Sequence, residues 1–175
     1  MRETPAEIAT LQQLLDDSAA SGGAHLSGII DAERRLSAEQ LCTRLTGMRL
    51  LTVATVTADG RPLTGAVDGY FLHGTWYFSS SPDSVRVRHL RARPAISATH
   101  LPGESLQVSV HGRAEIFDFA DAEHGAPLKQ AMLDHYLPIQ GPSFQEWIDN
   151  NQDDGAVGVR ILADKMFTFH LEESQ

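Results

Sequence analysis

Arg86, Arg88, Arg91 and Arg93 fall within eight residues in the stretch SSSPDSVRVRHLRARPAIS, in a chain whose formal net charge is −9. So concentrated an exception to an acidic background points to an anion. Ser79, Ser80 and Ser81 lead into the stretch, so hydroxyls, backbone N–H groups and guanidiniums can converge on one phosphate. The functional reading is the phosphate grip of a bound cofactor. Two facts weigh against it: an arginine-rich helix is commonly a solvated face, and the Asp83 carboxylate would compete with a phosphate for the positive end of the helix dipole.

Other chemistries find less support. Eight histidines are present, but none forms a His-x-x-x-His pair or sits beside a cysteine at ligand spacing, so no metal site is expected. His111 stands one residue before Gly112 and is suited to proton transfer beside a cofactor or substrate, whereas His89 among the arginines reads as surface. No Gly-x-Ser-x-Gly elbow, phosphate-loop signature or Gly-x-Gly-x-x-Gly turn occurs, which removes the sequence basis for hydrolase, nucleoside-triphosphatase and dinucleotide-fold readings. The pI near 5.2 argues against general nucleic-acid binding, because an extended polyanion needs a broad basic face. Cys42 is the lone cysteine, so there is no internal disulfide framework. The N-terminus MRETPAEIATLQQLLDD lacks the apolar core of a secretion signal or membrane span, and a cytoplasmic protein that does not engage a membrane is expected.

The elements that must position the arginines follow from periodicity. At 175 residues the chain fits one domain, with an N-terminal helical extension over about 1–48 and a core over about 49–170. Thr4-Pro5-Ala6-Glu7 reads as a capping box opening a helix over about 5–18, on which Ile8, Leu11 and Leu15 recur at spacings of three and four. Ser18 to Gly28 reads as a loop, and a second box, Ser37-Ala38-Glu39-Gln40, opens a helix carrying Leu41, Leu45 and Met48 that Gly47 helps to end.

From Arg49 the period becomes two. RLLTVATVT, RPLTGAVDGYFL and TWYFSSS are joined at Asp59-Gly60 and His73-Gly74, which predicts three sequential antiparallel strands. Ser81-Pro82-Asp83 supplies an N-cap with proline at N1 for a short helix through Arg91, and Pro94 stops that helix before the strand AISATH. Leu106, Val108 and Val110 alternate with polar residues in a fifth strand, with a bulge or close backbone approach at Gly112. Residues 119–150 read as helical, and a final strand pair is expected within AVGVRILADKMFTFHLE. Sequential antiparallel strands interrupted by one short helix predict a mainly β, α+β fold: a small closed or partly closed barrel with helices outside it.

In order and spacing, TVATVTADGRPLTGAVDGYF, WYFSSSPDSVRVRHLRARPAIS, LQVSVHGRAEIFD and VRILADKMFTF resemble the pyridoxamine 5'-phosphate oxidase-like family of split β-barrel flavoproteins. The resemblance covers most of residues 49–170 and implies an antiparallel split barrel of the type that binds flavin mononucleotide (FMN). It further implies a homodimer with the cofactor at the subunit interface. The implied phosphate contacts are Ser79, Ser80 and Arg86, with Arg88 as a helper. Thr64, Gly65, Ala66, Val67 and Asp68 would line the ring and ribityl chain, Gln107 would reach the flavin, and Phe169 would face it.

The departures bear on activity. The oxidases proper carry a lysine on strand two, where this chain has Gly69 and its neighbours, and an arginine-bearing C-terminal extension that grips the substrate phosphate. Oxidation of vitamin B6 is therefore not expected. The resemblance implies an FMN-dependent oxidoreductase acting on a small organic molecule, with a deazaflavin-dependent reductase as the alternative and a non-catalytic cofactor carrier or haem-binding module as the reading from another class. Because the cofactor carries hydride chemistry itself, no catalytic side chain is assigned. Tyr136 and Trp147 are candidates to shape a substrate pocket, against the plainer reading that they pack a helix on the barrel.

Overall fold

The computed structural model describes residues 3–150 and 155–171. Its centre is a closed antiparallel barrel of six strands: β1 (Met48–Val56), β2 (Pro62–Leu72), β3 (Thr75–Ser80), β4 (Ala95–His100), β5 (Leu106–Asp118) and β6 (Val157–His170), ordered β1-β2-β3-β6-β5-β4. Alternation sends Leu51, Val53, Val67, Trp76, Phe78, Val108, Val110 and Met166 inward to one buried core. The β1–β2 and β2–β3 turns form where expected: Gly60 has φ of 83°, and His73 and Gly74 have φ of 53° and 72°, the left-handed pair that a tight hairpin requires.

Among the described residues six α-helices pack around the barrel, with one 3-10 turn at Ala32–Arg34: α1 (Pro5–Ala20), α2 (Ala24–Ile29), α3 (Ala38–Arg44), α4 (Val85–Ala92), α5 (Gly125–Gln140) and α6 (Pro142–Asn150). Both expected capping boxes are present, Thr4 with Glu7 and Ser37 with Gln40. Leu11 and Leu15 of α1 and Leu41 of α3 join the barrel core. Helices α5 and α6 lay Leu128, Met132, Phe144 and Ile148 over Tyr70, Leu72, Tyr77 and Phe117, making a second apolar cluster outside the barrel wall. No helix among the described residues is long and apolar enough to cross a membrane.

Four local expectations are corrected. Residues 24–29, expected within a loop, form α2, and Leu26 turns to the cleft described below. Helix α3 ends at Arg44 with Leu45 as its C-cap, and Met48 already belongs to β1, because Gly47 takes φ of 74° and reverses the chain. The arginine helix is capped by Ser84, whose Oγ accepts from the Val87 N–H at 3.1 Å, and not by Ser81; Ser81-Pro82-Asp83 instead forms a turn closed by the Ser84 N–H on the Ser81 carbonyl at 3.0 Å. The expected final strand pair is one strand of 14 residues. Ala163-Asp164-Lys165 does not turn but bulges, since β5 pairs His111 with Lys165 and Gly112 with Ala163. Gly112 permits the approach: a β-carbon there would collide with the Leu162 carbonyl oxygen.

Candidate functional site

Helix α4 lies across one end of the barrel, burying Val87 and Leu90. That packing divides its arginines. Arg88 donates to the Asp83 carbonyl at 3.3 Å, Arg91 to the Pro82 carbonyl at 3.2 Å and Arg93 to the Val56 carbonyl at 3.0 Å, so these three tie the helix to its own approach and to β1. Arg86 alone crosses to β2, where its Nη2 reaches the Ala66 carbonyl at 3.4 Å. Among the described residues none of the four meets a carboxylate at ion-pair distance, and burial pulls the Arg86 pKa below the ordinary guanidinium value. A partly desolvated cation with one weak carbonyl partner is under-neutralised.

Arg86 borders a recess of about 190 Å³ with Thr55, Leu63, Thr64, Gly65, Ser84 and Val85. A β-carbon at Gly65 would stand 2.9 Å from Arg86 Nη2, so the glycine opens the space the guanidinium occupies. The hydroxyls of Ser80 and Ser84 are 3.0 Å apart, which links the end of β3 to the first turn of α4. Hydroxyls, a guanidinium and the positive end of a helix thus meet at one recess, the donor set that suits a phosphate.

The remaining sequence candidates divide by strand face. Ala66 is exposed, but Val67 turns into the barrel core, leaving its backbone alone to an outside ligand. Asp68 faces outward and accepts a hydrogen bond from the Tyr136 hydroxyl, whose pKa rises to about 12 through burial first and the Asp68 carboxylate second. Tyr136 and Trp147 both pack on Phe144, with ring centroids 4.9 Å and 5.5 Å away. Ser79 alternates away from Ser80, onto the face of Tyr77, and Arg88 does not reach the recess. Gln107 and Phe169 are direct partners across β5 and β6; Gln107 Nε2 donates to Ser109 Oγ at 2.9 Å, and the Arg34 guanidinium lies 6.0 Å from the Phe169 ring centre. His111 accompanies them on the outer face, its Nδ1 2.9 Å from Ser97 Oγ. His89 is not free surface: its Nδ1 lies 3.0 Å from Thr55 Oγ1 beneath α4. No group of three metal-ligating side chains occurs among the described residues.

Thr64, Gly65, Ala66, Ser80 and Arg86 therefore gather at one place and Gln107 with Phe169 at another. The ladders connect them: Ala66 pairs with Thr52, Thr52 with Thr99, Thr99 with Ser109 and Ser109 with Phe167. Through β1, β4 and β5 the ends of that row are four strand spacings apart, roughly 19 Å of path along the curved sheet, and the closed barrel also joins β2 to β6 through β3. Sequence reasoning missed Ser84 and Thr55. Ser84 precedes the first apolar turn of α4 as an N-cap should, but Ser81-Pro82 offered a competing signal three residues earlier.

Comparison with known proteins places these features. The family model described as pyridoxamine 5'-phosphate oxidase matches residues 37–156. Among proteins of curated function, none matches the sequence. A conserved hypothetical protein from Mycobacterium tuberculosis is 23% identical with a TM-score of 0.68, covering 82% of this chain and 94% of its own. A FAD-binding protein from Mesorhizobium loti is 24% identical with a TM-score of 0.52, over 80% of this chain and 97% of its own. An F420 reductase is 18% identical with a TM-score of 0.52, over 71% of this chain and 93% of its own. At these identities the structural likenesses establish the shared barrel.

Proposed function

From the premise that the chain belongs to the pyridoxamine 5'-phosphate oxidase family, we propose that it is an FMN-binding oxidoreductase whose phosphate grip is centred on Arg86. The observation that carries the reading is the half-buried, under-neutralised guanidinium of Arg86 over Gly65, beside the first turn of α4. The residues fit the group. Arg86 would neutralise the phosphate, the hydroxyls of Thr64 and Ser84 would orient it, and the outer face of β2 past Ala66 would carry the rest of the molecule. When bound, the flavin supplies hydride chemistry; the chain's task is to hold it and exclude water.

The separation of Arg86 from Gln107 and Phe169 supports a homodimer. In that arrangement one protomer grips the phosphate while Gln107 and Phe169 of the partner subunit cover the ring. Leu50 and Leu101 support the same reading: they are 64% and 62% exposed, and Leu50 faces outward beside its ladder partner Asp68. An apolar outer face of this kind calls for a cover.

That a FAD-binding protein and a reductase of F420, a deazaflavin coenzyme, share the barrel supports the cofactor class and keeps the deazaflavin reading as the alternative. The test is an equilibrium titration of FMN against Arg86→Glu. Loss of binding by about a hundredfold or more, with an unchanged circular dichroism spectrum, supports the grip. Unchanged affinity contradicts it.

A further inference from the structure

Beyond Arg160 strand β6 leaves β3 and pairs with β5 alone, so its other edge would lie open. The N-terminal segment covers it. The Met166 N–H donates to Ser18 Oγ at 2.9 Å, and the Leu36 N–H donates to Thr168 Oγ1 at 2.9 Å. Between these two ties the segment stands off the strand and leaves a cleft of about 690 Å³, bounded by α1, α2, the residues leading into α3, and Met166, Phe167 and Thr168 of β6. That volume lies in the range of small-molecule sites. Nearly all of its lining comes from outside residues 37–156, so the family match assigns it nothing.

The cleft's chemistry is legible. Leu15, Leu26, Ile30, Leu36, Met166 and Phe167 supply apolar wall. Most of its polar side chains are already engaged. Gln12 Oε1 accepts from the Ala38 N–H at 2.9 Å and its Nε2 donates to Asp16, Gln40 and Ser37 satisfy each other in the capping box, and Thr168 holds Leu36. Two charged side chains line it: Asp16, whose Oδ1 takes the Gln12 hydrogen bond, and the exposed Arg35, whose Nε donates to the Asp31 carbonyl at 3.2 Å and whose terminal amino groups have no hydrogen-bond partner among the described residues. An apolar body with one anionic group set on Arg35 matches the apolar wall and that guanidinium.

The cleft also opens at the right place. Phe167 lines it, and Phe169 lies two residues on, on the same face of β6. Across the ladder Phe167 pairs with Ser109 and Phe169 with Gln107, and Gln107 and Ser109 are hydrogen-bonded to each other. One patch of four residues thus joins the cleft wall to the side chains assigned to the flavin ring. We infer that the cleft between the N-terminal helices and β6 is the substrate site and takes an apolar organic carboxylate; its role as substrate site rests on the cofactor reading above.

The experiment titrates 2-naphthoate into the full-length protein, free of FMN and loaded with it, by calorimetry and by the flavin's visible difference spectrum. Saturable binding is expected in both forms. It should weaken about tenfold in Ala20→Phe, which fills the cleft from the exposed end of α1, and by a similar factor in Arg35→Gln, while neutral 2-naphthalenemethanol binds the wild type and Arg35→Gln alike. Equal naphthoate affinity in the wild type and in a folded Ala20→Phe, or no saturable binding, overturns the cleft. Binding that leaves the flavin spectrum unmoved overturns its role as substrate site. Failure of FMN to bind defeats the cofactor reading and the substrate role with it, and the FMN-free titration still decides whether the cleft binds carboxylates.

Discussion

Arg86 Nη2 stands 2.9 Å from the position a β-carbon would take at Gly65, and its one hydrogen bond among the described residues goes to the next carbonyl, that of Ala66. Glycine at 65 therefore sets where the guanidinium rests. Gly65→Val is expected to push Arg86 out of the recess and weaken FMN binding by about tenfold to a hundredfold, the worth of a charge-assisted hydrogen bond. Fluorescence titration gives the affinity, and the thermal midpoint shows whether the fold is kept.

Gly112 serves the fold and not the site. A β-carbon there would meet the Leu162 carbonyl oxygen across the bulge that re-registers β5 on β6. Backbone cannot yield as a flexible side chain can. Gly112→Ala is expected to destabilise the protein by about 3 kcal/mol, read as a lower urea midpoint with an unchanged slope.

Tyr136 supplies a pH signature. Burial, and after it the Asp68 carboxylate, raise its pKa from the usual 10.0 to about 12. The unfolded chain then gives up this proton at lower pH than the folded one. The stabilisation is complete below about pH 10 and is lost as pH rises toward the folded value. Tyr136→Phe should flatten that part of the stability profile, measured by urea unfolding at a series of alkaline pH values. A slope in the variant as steep as in the wild type would contradict the raised Tyr136 pKa.

Much of this was legible in the residues. Capping boxes, glycine turns and two-residue alternation each fix backbone geometry over a few positions, and the capping boxes at Thr4 and Ser37, the turns at Gly60 and Gly74 and the bulge beside Gly112 all form where those signals stand. What failed needed knowledge of partners. The expected strand pair within AVGVRILADKMFTFHLE is one strand, because β5 runs unbroken beside it and pairs with it on both sides of the bulge at Asp164. The cap of α4 went to Ser84 because packing of Val87 and Leu90 on the barrel fixes the helix phase, which local preference at Ser81-Pro82 does not override. Charge clustering found the arginines, but their unequal fates follow from which carbonyls lie within reach of each, and only the fold decides that. Val67 and Ser79 belong to runs of consecutive candidates on β2 and β3, and a run on a strand presents its members to opposite faces.

Whether Arg86 marks a flavin site is decided most directly by titrating FMN, a deazaflavin coenzyme and haemin in parallel into protein stripped of bound small molecules, with the oligomeric state followed by sedimentation. The expected result is saturable FMN binding at one molecule per subunit in a dimer. A protein that binds none of the three, or takes up haemin with a Soret band and ignores FMN, contradicts it.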